Sequence, residues 1–244
     1  MEDRTEENKG KTVQRWMWIF PALLFVAGIA VFLYPYLSDR LYQKDVEAHK
    51  EKFESQVDRE EDSLEKLYQE LKRRNEKLYQ SHQQELADPF AYEQPDIDLS
   101  EYGLEGNTIG FIKIPRMQVT LPVLLGANQE NMSLGAVHLT ETSYPIGGTN
   151  TNSVIAAHRG YSRTAMFRDI EALEIGDEVI IENFRETLIY EVADLRVILP
   201  KEVDQLMIQE GKDMVTLMTC HPYRHNYQRY VVFCVRKSHS PKKS

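Results

Sequence analysis

Three kinds of hydrophobic pattern run along the chain, and each predicts a different element. From Trp16 to Leu37 the sequence reads WMWIFPALLFVAGIAVFLYPYL, 22 residues without a charge. About 20 apolar residues rising 1.5 Å each span a bilayer core of about 30 Å, so this run predicts a membrane-spanning helix. Trp16, Trp18, Tyr34 and Tyr36 stand at its ends, where amphipathic rings favour the interface. A cleaved signal peptide and a buried core helix compete with this reading. The run is longer than the apolar region of a signal and no small-x-small cleavage site follows it, which favours a retained anchor. Basic residues flank both ends, so charge alone leaves the orientation open.

Residues 38–87 change pattern. They are dense in Glu, Lys, Arg and Gln, with neither Gly nor Pro, and carry a thin apolar seam of Phe53, Val57, Leu64, Leu67, Leu71 and Leu78 at helical spacings. That predicts a polar helical segment whose seam packs on the next domain, with a self-associating coiled coil as the sharper alternative. Asp88-Pro89-Phe90 is expected to end it, because a residue before proline avoids the α region. Residues 88–107 hold two prolines and two glycines without periodicity and read as a linker.

The third pattern is that of strands. IGFIKIP (109–115), MQVTLPVLL (117–125), SVIAAH (153–158), DEVIIEN (177–183), TLIYEVADLRVIL (187–199), MVTLMTC (214–220) and RYVVFCVR (229–236) are rich in β-branched and aromatic residues. Helical interludes are expected at 164–173 and 201–210. Many strands and few helices within about 130 residues predict a mainly β fold, a closed or nearly closed barrel over 108–236. A basic tail, 237–244, follows, and no second hydrophobic span is seen. The organisation is thus a tail (1–15), an anchor (16–37), a helical segment (38–87), a linker (88–107), a barrel (108–236) and a second tail.

Composition narrows the partners. With 38 acids against 29 bases the formal charge is −9, and no basic stripe with interleaved aromatics appears, so nucleic-acid binding is not expected. Two cysteines exclude a disulfide-dense scaffold, leaving a reactive thiol, one disulfide or two core residues.

Cys220 closes one predicted strand and Pro222 turns the chain after it. His158 closes another, before Arg159-Gly160. Arg229 opens a third. A thiol must ionise to attack a carbonyl, and a nearby imidazolium or guanidinium favours that. Arginine can also donate to the oxyanion that develops in acyl transfer. Each residue alone has a plainer reading: a core thiol, a hydrogen-bonded loop histidine, a surface ion pair. Cys234, inside Phe233-Cys234-Val235, fits the core reading. Cys220, His221 and His225 do not complete a zinc set, and no metal or cofactor is expected.

Thr216-Leu217-Met218-Thr219-Cys220, with Arg229 nine residues on, resembles the TLxTC…R motif of sortases. Ala157-His158-Arg159-Gly160 resembles that family's histidine segment. Ile112-Lys113-Ile114-Pro115, Leu121-Pro122-Val123, Gly135–Leu139 and Pro145-Ile146-Gly147-Gly148 are similar to its first strands and connecting loop. Asp88-Pro89-Phe90 is similar to the lid of class C, pilus-assembling sortases, and Cys-x-Pro-Tyr at 220–223 suits that class. The resemblance implies a sortase-type barrel and a membrane-anchored transpeptidase with residues 1–15 inside and 38–244 outside. It implies Cys220 as nucleophile, His158 as acid, Arg229 as oxyanion donor, Thr219 as a substrate contact, and Asp88, Pro89 and Phe90 as lid. The substrates would be LPxTG-like sorting signals, with a lysine amine of a pilin subunit as acceptor. A housekeeping sortase serving peptidoglycan, a cysteine protease and a non-enzymatic tethered scaffold remain as alternatives.

Overall fold

A computed structural model describes residues 3–83, 94–160 and 164–237. Asp88, Pro89 and Phe90 lie outside these residues. The chain divides into two compact units, 1–42 and 43–244, each described here by itself. Helix α1, Asp3–Val57, begins in the first unit. Its apolar stretch is solvent-exposed, with Phe25 and Phe32 both 70% accessible. Among the described residues this is the one helix long and apolar enough to cross a membrane.

In the second unit the helical segment is two helices, not one. After α1 ends at Val57, α2 runs Glu61–Gln80. The stop expected at Asp88-Pro89 therefore comes earlier. The Ser81 N–H still reaches the Lys77 carbonyl, but His82 and Gln83 take φ of +56° and +47°, which ends the ladder. Gln83 is then pinned: its side-chain Oε1 accepts from the Ile208 N–H at 2.6 Å.

The seam faces the barrel. Phe53, Leu64, Leu67 and Leu71 are buried. Phe53 meets Phe111 edge-on at 5.6 Å. Asn75 accepts from the Tyr144 N–H at 2.7 Å and donates to its carbonyl at 3.3 Å. Arg185 lies over the Tyr68 ring at 3.9 Å and pairs with Glu65. At about 1.5–3 kcal/mol per buried Leu or Phe side chain, burial on the barrel uses up the surface a coiled coil would need.

Eight strands form the barrel: β1 Thr108–Ile114, β2 Val119–Leu125, β3 Ala136–His138, β4 Thr151–Ala156, β5 Glu178–Asn183, β6 Thr187–Ile198, β7 Asp213–His221 and β8 Gln228–Arg236. Their order is β1-β2-β3-β4-β7-β8-β6-β5, closed by β5 on β1. The β2–β3 and β4–β7 pairs are parallel and the rest antiparallel. All seven apolar runs read from the sequence are strands. β3 is too short to show a period. Closure depends on Gly110, where a Cβ would meet the Glu182 carbonyl oxygen at 2.5 Å and the Asn183 Cα at 2.8 Å.

Both expected helical interludes are present but shorter than their stretches. Only the 3-10 turns Ile170–Ala172 and Val203–Leu206 form there. Phe167, Ile170 and Leu173 have helical spacing, yet the Phe167 N–H bonds to the His158 carbonyl at 3.0 Å and Met166 has φ of +42°. All three side chains are buried, so tertiary packing overrides local propensity. A short helix, α3 Gln129–Leu134, forms where no apolar period announced one. The Asn128 side chain caps it, accepting from the Asn131 N–H at 2.9 Å.

Candidate active site

The parallel β4–β7 pair and the antiparallel β7–β8 pair bring three chain segments to one end of the barrel. β4 and β7 finish there and β8 begins there. Val154 lies opposite Thr216, and Ala156 opposite Met218. The ladder goes one step further, since the Ala157 N–H donates to the Met218 carbonyl at 3.2 Å. Two residues beyond Ala156 and Met218 come His158, just past the end of β4, and Cys220, still in β7. Across the other edge of β7, Cys220 is directly opposite Arg229. Because side chains alternate at every residue of a strand, Cys220 and Arg229 share the face carrying Val154, Ala156, Met214, Met218, Val231 and Phe233, and His158 follows the end of β4 beside them in the sheet order. Those six belong to one buried apolar cluster.

The cluster is roofed by the β6–β7 connection. Leu206 packs into it, and the Asn152 side chain ties the connection down by donating to the Leu206 carbonyl at 2.8 Å. Asn152 in turn accepts from the Thr216 hydroxyl at 2.8 Å. The floor is thus dry and fixed, and the chemistry-bearing residues stand where it opens.

Each has a distinct setting. Cys220 is partly exposed, whereas Cys234 is fully buried and burial pushes its thiol pKa upward. His158 is half-buried, and loss of hydration lowers its pKa below the ordinary 6.5, favouring the neutral ring. Arg229 is only 5% exposed, and its Nη1 donates to the carbonyls of Asn226 at 2.6 Å and Gln228 at 3.1 Å. These bonds fix the plane of the guanidinium. A thiol, an imidazole and an oriented guanidinium at one end of a barrel can perform acyl transfer: attack on a carbonyl, oxyanion stabilisation and proton delivery to a leaving amine.

Thr219 points the other way. It is fully buried, and its hydroxyl donates to the Ala157 carbonyl at 2.7 Å, bonding the ends of β4 and β7 together. His221 shares that reverse face. Its Nδ1 lies 3.0 Å from the Glu171 carboxylate and 2.9 Å from Arg159. Glu171 and Asn152 escaped the sequence reading, because neither stands in a motif and only the fold brings them here.

A closed eight-stranded barrel with cysteine, histidine and arginine at the ends of three adjacent strands defines a cysteine acyl-transfer scaffold. The sortase-domain model matches residues 112–237. The chain belongs to the sortase family of cysteine transpeptidases. It is 30% identical to Sortase A of Bacillus anthracis over 156 residues, 63% of this chain and 72% of that one. Among solved structures, Sortase C1 of GBS Pilus Island 1 superposes with a TM-score of 0.71 at 29% identity, covering 81% of this chain and 94% of its own. Streptococcus pneumoniae Sortase C gives 0.70 at 27%, covering 78% and 97%. Family membership implies sorting-signal peptides as substrates.

Proposed function

We propose that this chain is a class C sortase that links pilin subunits, anchored by the apolar helix of 16–37 with its barrel outside the cell. The placement of Cys220 opposite Arg229, with His158 two residues past the end of the adjacent β4, carries the chemical reading. The Cys220 thiolate attacks the Thr–Gly carbonyl of an LPxTG-like signal, and Arg229 donates to the oxyanion. As the C–N bond breaks, His158 gives its proton to the departing glycine amine, leaving a thioester. A lysine amine of a pilin subunit attacks the thioester, its proton passes to His158, and the isopeptide product leaves Cys220 as it began. The thioester conserves acyl-transfer potential, so no cofactor enters. With His158 held mostly neutral, a minor thiolate–imidazolium population does the work, and a bell-shaped pH profile follows.

Two observations support class C. The chain resembles a pilus-island sortase C1 and a Streptococcus pneumoniae sortase C over about four fifths of its length, and Asp88-Pro89-Phe90 resembles the class C lid. The names of curated relatives favour a second reading: Sortase A, a housekeeping enzyme that would use a peptidoglycan amine. The test gives the full-length enzyme one LPxTG-type peptide and two competing acceptors, a lysine-containing pilin peptide and a cross-bridge peptide, and weighs the products. A lysine isopeptide supports pilin linkage. Preferential transfer to the cross-bridge supports the housekeeping reading, and hydrolysis alone points to a protease.

A further inference from the structure

The reverse face of the β4–β7–β8 end carries a cluster that the acyl-transfer chemistry does not use. Arg159 immediately follows His158, and His221 immediately follows Cys220. Glu171 comes from the 3-10 turn Ile170–Ala172, of which Ile170 is buried and Glu171 itself exposed. Three contacts close a triangle: Arg159 Nη2 to Glu171 Oε1 at 2.6 Å, Arg159 Nη1 to His221 Nδ1 at 2.9 Å, and Glu171 Oε1 to His221 Nδ1 at 3.0 Å. The Arg159 side chain is 8% exposed, so its charge is nearly out of water and depends on the carboxylate beside it. Tyr230 flanks His221 with ring centroids 5.8 Å apart, and Tyr223 lies 6.0 Å from the guanidinium.

We infer that Glu171 is a positioning residue for the transpeptidation, clamping Arg159 and His221 so that their chain neighbours His158 and Cys220 keep one separation. His221 joins the cluster through one hydrogen bond at a time, while Arg159 holds Glu171 in both ring states. A neutral His221 accepts from Arg159 at Nδ1, and a ring carrying a proton at Nδ1 donates to Glu171. The turn that supplies Glu171 is itself rigid, because Phe167 and Ile170 are fully buried. Thr219 adds a neutral tie on the same face by donating to Ala157. The clamp lies across the sheet from the groove, so its loss disturbs the alignment of the reacting groups and leaves peptide binding alone. A misplacement of about 1 Å costs on the order of 10²-fold in rate.

This inference rests on the proposed roles of Cys220 and His158, and the experiment separates the two. Steady-state kinetics would be measured on the full chain with the LPxTG-type peptide that the wild type turns over best and a lysine-peptide acceptor. Glu171→Gln keeps shape and removes charge. Its kcat is expected to fall at least tenfold with KM within threefold and the melting temperature nearly unchanged. A merely structural role would lower the melting temperature and leave kcat per folded molecule intact. His221→Ala should show the same loss, and His221→Asn, which retains a donor near the Nδ1 position, should recover most of it. The double variant Glu171→Gln/His221→Ala should be no worse than the poorer single one. A kcat within twofold of wild type in Glu171→Gln, or losses that multiply in the double variant, overturns the clamp while the functional reading stands. An inactive wild type, or an active Cys220→Ala enzyme, overturns that reading and the clamp with it.

Discussion

Two of the barrel's histidines and its two cysteines stand in contrasting places. His138 and Cys234 lie in its interior, and His158 and Cys220 stand at its open end. His138 is 1% exposed, stacks on Tyr144 at 5.0 Å and donates from Nε2 to the Ser143 carbonyl at 3.0 Å. Cys234 faces Val215 across one ladder and Val192 across the other. Burial holds both in their neutral forms. Cys220 belongs to the same β7–β8 ladder, but its partner is Arg229 and it is partly exposed. Position within a ladder, not residue type, separates a packing thiol from one able to ionise. The interior provides rigidity and the strand ends provide chemistry.

The sharpest break in this comparison is the thiol itself. Cys220→Ala should leave no transfer above background in a peptide-to-lysine assay, and His158→Gln should be nearly as severe, since an amide cannot deliver a proton. Full activity in a folded Cys220→Ala enzyme would erase the distinction between the two cysteines. Next comes Arg229→Lys. An ammonium cannot reproduce the planar fork held by the Asn226 and Gln228 carbonyls. Loss of an oxyanion donor costs about 10²–10³ in kcat, about 2.7–4 kcal/mol, and turnover close to wild type would reduce the arginine to general charge.

The interior histidine gives a pH effect on stability. Burial lowers the His138 pKa from 6.5 to about 4. The unfolded chain therefore binds more protons than the folded one between those values. Stability is complete above pH 6.5 and declines as pH falls toward 4, by about 3 kcal/mol in all. Urea midpoints at pH 7 and pH 5 should fall further in the wild type than in His138→Gln, and equal falls would show that the ring does not titrate in this window. The smallest effect belongs to Cys234→Ala. Removing one buried sulfur should cost about 1 kcal/mol in urea unfolding and leave transfer within twofold of wild type. A loss of activity without loss of stability would bring Cys234 into the chemistry.

Much of this was legible locally. The alternation in DEVIIEN and TLIYEVADLRVIL marks β5 and β6 without reference to anything else, and Thr216–Cys220 with Arg229 marks two residues, Cys220 and Arg229, that the ladder pairs at one end of the barrel. Local reading failed where burial imitated another element. Phe167, Ile170 and Leu173 are spaced as in a helix, but they form a plug of turns because the barrel offers them a core. The end of α2 was misplaced for a similar reason: Pro89 is a conspicuous stop, whereas the left-handed His82 and Gln83 carry no strong signal.

By itself the sequence determined the apolar run of 16–37, the strand periods and the order of the chemistry-bearing residues, because each rests on neighbours within a few positions. Only the tertiary structure decided that β4 and β7 run parallel side by side although 56 residues separate Ala156 from Asp213. That pairing brings the segments carrying His158 and Cys220 to one end of the barrel and lets Glu171, in a turn between them along the chain, reach the residue after each. Parallel pairing needs a long crossover, and the choice of partner strand is made by burial over the whole barrel rather than by any local pattern.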